Sequence, residues 1–140
     1  MGSVYIDISG DAFKGLNLLS DKSKQGAPVL DDIGAFLDLD VTHRFLSEMA
    51  PDGTKWQKSK AALARGGLTL TDSRNLAGSV THNVSSNVLE HGLGEKYAAI
   101  HHFGGKAGRN KSVTLPAREI VGIDVYQETE INAIVDDWLI

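Results

Sequence analysis

The sequence predicts an α+β fold in which a small antiparallel sheet packs against one long helix and a C-terminal helix. Three observations carry this. An apolar stripe at helical spacing runs through the first third, a hairpin pattern sits mid-chain, and a second apolar helical face closes the chain. The elements alternate irregularly, without the long strand–helix–strand units of a doubly wound sheet.

Each element has its own signal. Val4, Ile6 and Ile8 alternate with Tyr5, Asp7 and Ser9, the period of a half-buried strand. Gly10 ends it, and Asp11 can cap a short helix carrying Phe13, Leu16 and Leu19. Residues 22–26 form a polar break. Pro28 suits the start of a helix, where its missing N–H is not needed. Leu30, Ile33, Leu37, Val41, Phe45 and Met49 then recur at spacings of three and four, with Asp31, Asp38 and Arg44 on the opposite face. Pro51, Asp52 and Gly53 end this helix with turn chemistry. Residues 59–65 form a short helix stopped by Gly66 and Gly67, and Leu68 and Leu70 lie on one side of an extended segment. Ser73 can cap a helical turn holding Leu76 and Val80.

Residues 80–89 read as a hairpin. Val80, His82 and Val84 alternate, Ser85, Ser86 and Asn87 turn, and Val88 resumes. Residues 95–103 form a second helix carrying Tyr97, Ala98, Ile100 and His101, ended by Gly104 and Gly105. Residues 106–111 are a glycine- and lysine-rich loop, expected to be mobile. Val113 and Leu115 form a short strand before Pro116 breaks the ladder. Ile120, Gly122, Ile123 and Val125 continue extended, and a last helix over 127–139 shows Ile131, Ile134, Val135 and Trp138 on one face.

The 140 residues suit one domain, with a strand and helical part over 1–50, a central region over 51–122 and a helical tail over 123–140. No apolar run is long enough to span a membrane, and the first residues lack the basic and apolar regions of a secretory signal. Cysteine is absent, which excludes disulfides, thiol nucleophiles and Cys-ligated zinc, and fits a reducing cytosol. The net charge of −4 hides a polarity. Residues 1–50 carry 8 acids and 4 bases, residues 51–118 carry 4 acids and 10 bases, and residues 119–140 carry 6 acids and no base. A basic middle between acidic ends can touch nucleic acid, pair head-to-tail with a neighbouring copy, or be a mixed solvated surface.

No catalytic constellation emerges. His43, His82, His91, His101 and His102 include no pair at i and i+4, the spacing by which a helix grips zinc. Residues 105–112 mimic a phosphate loop but have two residues between Gly105 and Gly108 instead of four, and Arg109 follows instead of lysine. No nucleophile elbow is present. Asp31–Asp32 and Asp136–Asp137 are adjacent on helices and diverge by about 100°, so neither converges as an acid–base pair. No catalytic, cofactor or metal site is expected. Lys106, Arg109 and Lys111, with Arg118 shortly after, can contact phosphates without reading sequence. No aromatic residue lies in that loop to stack bases.

The block Tyr97-Ala98-Ala99-Ile100-His101-His102-Phe103-Gly104, a basic linker and then Pro116-Ala117-Arg118 strongly resembles the phage virion morphogenesis, or tail completion, family of Mu-like tailed phages. Residues 68–80 resemble its second block, and Pro51-Asp52-Gly53-Thr54-Lys55-Trp56 its Pro-x-Gly-x-x-Trp segment. His102 stands where glutamine is usual, Ser73 where glycine is usual, and Glu119 where an aromatic or proline is usual. The resemblance implies a structural, non-enzymatic role at the tail end or neck of a virion, reached from the host cytoplasm. It also implies a ring of identical copies, often six-fold, with other neck and tail proteins and the genomic DNA in its channel as partners. A closed ring needs two unlike patches on each copy. Lys106, Arg109, Lys111 and Arg118 are the candidate basic patch, and Glu128, Asp136 and Asp137 the candidate acidic one. Tyr97, Ile100 and Phe103 are expected to pack on the sheet, and Gly104 to supply a left-handed helix cap.

Overall fold

A computed structural model describes residues 2–9, 26–70, 75–85 and 87–139, and it is α+β as predicted. The proposed helix of Phe13, Leu16 and Leu19, and the Ser73 cap, lie outside the described residues. Strands β1 (Val4–Ser9), β2 (Val80–Ser85) and β3 (Val88–Leu93) form an antiparallel sheet in the order β1-β3-β2. Period-2 alternation puts every second side chain on one face. Register then aligns three rows there: Val4, Leu93 and Val80; Ile6, His91 and His82; Ile8, Leu89 and Val84. Tyr5, Asp7, Thr81, Asn83 and Glu90 take the exposed face.

Helix α1 (Gly26–Ser47) lies across β2 and β3. Its stripe of Leu30, Ile33, Leu37, Val41 and Phe45 is at most 2% exposed. Burial of each such side chain contributes about 1.5–3 kcal/mol. The first half of the stripe packs with Ile8, Leu89, Ile131 and Val135. The second half packs with Val4, Leu93, Trp56, Leu76, Ala98 and Ile120. One helix therefore runs through both apolar clusters. It stops before Met49, two residues short of the predicted stripe. Glu48 turns out at a φ of 56°, and Met49 bridges to Lys55. Glu48 is held from three sides: its carbonyl accepts from the Trp56 N–H, and its carboxylate accepts from the Thr69 N–H and Lys58.

The opposite face of α1 is not simply polar surface. Arg44 is buried and donates to the Ile120 carbonyl and to Asp40. Asp38 is half-buried against the sheet. Helix α4 (Val125–Leu139) packs on α1 as well, so α1 meets partners on two sides and spacing alone does not reveal the second.

Helix α2 (Lys60–Arg65) forms where expected, with the Ser59 hydroxyl accepting from the Ala62 N–H and Gly66 in the left-handed conformation that ends it. The predicted extended segment at Leu68 and Leu70 is instead a turn, with Leu70 at a φ of 64°. The buried Thr69 hydroxyl takes the Ser59 N–H, so a side chain replaces a ladder partner there. Ala77–Ser79 is a 3₁₀ turn, and Val80 belongs to β2.

The second helix is shorter than predicted. Residues 95–97 make a turn, and α3 covers Ala98–Phe103. Tyr97 and Phe103 are 45% and 67% exposed and do not pack on the sheet; Ala98 and His102 are the buried members. The loop expected over 106–111 is part of a hairpin. Strand β4 (Gly105–Ala107) pairs with β5 (Val113–Leu115) around a 3₁₀ turn at Arg109–Lys111. Helix α4 begins two residues early because Asp124 caps it, its carboxylate taking the Val125 N–H while the Gln127 side chain takes the Asp124 N–H.

Candidate functional site

Three surfaces carry the chemistry that the sequence singled out. The first is the β4–β5 hairpin. Lys106, Arg109 and Lys111 are exposed on it, and among the described residues their side chains have no polar partner. Asn110 and Lys111 have φ of 58° and 52°. A lysine held there is strained, and such strain persists only where the surroundings fix it.

Arg118 does not share that tip. It is 4% exposed, its Nε donates to the Gln57 carbonyl at 2.7 Å, and its N–H to the His101 carbonyl. Burial pushes its pKa below the ordinary arginine value. Glu128, Asp136 and Asp137 are exposed along α4, and Asp136 and Asp137 diverge around the helix. Among the described residues no ion pair joins this acidic set to the basic hairpin.

The motif residues Ile100, His101, Gly104, Pro116 and Arg118 meet in one clasp between α3 and β5, while Tyr97 and Phe103 stay exposed. Gly104 has a φ of 74° with extended ψ, so it is not the left-handed cap that was expected. A Cβ there would come within 2.6 Å of the Ala117 nitrogen and 2.9 Å of the Leu115 carbonyl. Close backbone approach beside Pro116 is what demands glycine. Ile100 lies beside Gly105. His102, the departure from the usual glutamine, accepts the Ile120 N–H at Nδ1 over 3.0 Å. A glutamine carbonyl could accept the same proton. Burial lowers the His102 pKa, which keeps the ring neutral and able to accept.

Beside the clasp lies a groove of about 840 Å³ between α2, the 95–97 turn and β5. Its apolar lining includes Leu70, Leu76, Tyr97 and Leu115. Five cationic side chains and one carboxylate, Glu95, also line it. His101 lines it too, with its pKa lowered by burial and then by the Arg118 charge. The groove draws on residues 57–118, so no local motif announces it.

Sequence reasoning missed a polar cluster under α1. His82 places Nδ1 2.6 Å from Asp38 and Nε2 2.8 Å from Asp31. His91, directly across the ladder, is 1% exposed with Nε2 3.3 Å from Asp38. Burial pushes His91 down to about 4. Burial acts the same way on His82, but the hydrogen bonds to Asp38 and Asp31 outweigh it and raise its pKa. Two signals were present: Asp31 and Asp38 are seven apart on a helix, and His82 and His91 are equidistant from the hairpin turn. Among the described residues no group of three or more histidine or carboxylate side chains is arranged to hold a metal ion, and no helix is long and apolar enough to cross a membrane. His82 ties sheet to helix through hydrogen bonds to Asp38 and Asp31, whereas among the described residues neither ring nitrogen of the buried His91 has a hydrogen-bond partner.

The chain belongs to the phage virion morphogenesis family, a family of virion assembly proteins, whose model matches residues 11–140. It is also 31% identical over 138 residues to the Mu-like prophage FluMu G protein 2 of Haemophilus influenzae, covering 99% of this chain and 96% of that protein. No solved structure matches the chain significantly.

Proposed function

We propose that the chain is a structural component that completes the tail or joins it to the head at the neck, as a ring of copies around the DNA channel. The family match over residues 11–140 carries this reading. Two unlike exposed patches support it: the Lys106, Arg109 and Lys111 hairpin, and the Glu128, Asp136 and Asp137 face of α4. Unlike patches permit a heterologous contact, the kind that closes a ring. Charge pairs at its rim would set register more than affinity.

Charge reversal of Lys106, Arg109 and Lys111 to glutamate tests this. Supplied in place of the native chain, the variant is expected to stay folded and lower the yield of infectious particles. An unchanged yield would remove the charge contact. The unpartnered cations of the hairpin also favour a second reading, contact with DNA phosphates. Binding of duplex DNA by the isolated protein that weakens steeply with salt supports it, and no binding at low salt removes it.

A further inference from the structure

Two surfaces of this chain fit each other. The first is the groove between α2 and β5, with an apolar lining and a cationic rim that includes Lys58, Lys60 and Lys96. Arg118 lines it as well, 4% exposed and anchored only through Nε and its backbone, so its terminal nitrogens have no protein partner among the described residues. A guanidinium whose terminal nitrogens open on a groove without a protein partner is a site for an anion.

The second surface is the entry to α4. Ile123, Val125 and Tyr126 are 37%, 74% and 57% exposed, an unusual density of uncovered apolar side chains within four residues. Asp124 and Glu128 flank them, both exposed. This segment is apolar with an acidic border, and the groove is apolar with a basic border.

We propose that the groove receives residues 123–128 of a second copy of this chain, with Val125 and Tyr126 on the apolar lining and Glu128 toward Arg118. The assignment deepens the ring reading and rests on it. It retains Arg118 and Glu128 from the expected patches and moves the centre of the contact from the hairpin tip to the groove. Groove and knob are different surfaces of one chain, so each copy offers one of each to its neighbours.

Sedimentation velocity of the full chain over a concentration series tests the proposal. Groove variant Lys60→Glu/Lys96→Glu and knob variant Val125→Asp/Tyr126→Asp change exposed side chains, and circular dichroism checks that each folds. Each variant is expected to raise the concentration needed for self-association by about tenfold or more. A mixture of the two is expected to give a 1:1 dimer and nothing larger, because only one productive contact remains. A native chain that stays monomeric throughout, variants that associate like the native chain, or a mixture that stays monomeric would each overturn the proposal. If association is lost only on charge reversal of Lys106, Arg109 and Lys111, the ring reading stands and the groove assignment fails.

Discussion

Gly34 is buried on α1 where the helix meets the sheet, and a Cβ there would lie 2.3 Å from His82 Cδ2. Glycine-to-alanine changes inside helices ordinarily stabilise by about 0.5–1 kcal/mol. Here overpacking wins, and Gly34→Ala is expected to cost about 1–3 kcal/mol in urea denaturation. A variant as stable as the native chain would contradict the close approach of α1. His102 gives a second test at this scale. His102→Gln keeps an acceptor for the Ile120 N–H and is expected to be nearly neutral, whereas His102→Leu leaves that N–H buried and unpaired at a cost of about 1–3 kcal/mol. Equal stability of the two would show that the hydrogen bond is unimportant. Gly104 was legible as a special glycine because it follows a helix, but its reason was not. Its clash partners at 115–117 arrive through the fold.

The contact between α1 and the β2–β3 hairpin carries opposing pH dependences. His91 is buried neutral at about 4 against an ordinary value of 6.5. Its contribution is fully present above about pH 6.5 and is lost as pH falls toward 4, a loss of roughly 3 kcal/mol at full extent. His82 is raised above 6.5, so its contribution is fully present below that value and is lost as pH rises through its folded pKa. Asp31, Asp38, Asp40 and Arg44 surround the pair. Stability attributable to this contact should therefore peak near pH 6.5, and His91→Leu should flatten the acid limb of urea midpoints measured from pH 4 to 9. An unflattened limb would place the acid sensitivity elsewhere. The stripe of α1 and the hairpin at 80–89 were legible because their periods, 3.6 and 2, are local properties. The Asp–His cluster was not, because it exists only when two elements are superposed. Leu68 and Leu70 misled because alternation over three residues is too short to separate a strand from a turn.

Across the whole molecule, α1 threads both apolar clusters, and each cluster holds one tryptophan, Trp138 in the first and Trp56 in the second. The single-domain reading predicts that the two report one transition. Trp56→Phe and Trp138→Phe, each leaving one fluorophore, should show coincident urea midpoints once corrected for their own stability effects, and Leu37→Ala should lower the unfolding free energy read by either probe by the same amount, about 2–5 kcal/mol. Two separated transitions would divide the chain into independent units. The family was legible at this scale through three ordered blocks, yet the structure buries only a few of those residues, among them Trp56, Ala98, His102 and Arg118, and the exposed groove lies beside them. The most direct measurement of the central claim is electron microscopy of particles made by a phage lacking this gene. Full heads beside unattached tails, or tails of abnormal length, are the predicted result. Normal, joined and infectious particles would contradict a role in completing the tail or joining it to the head.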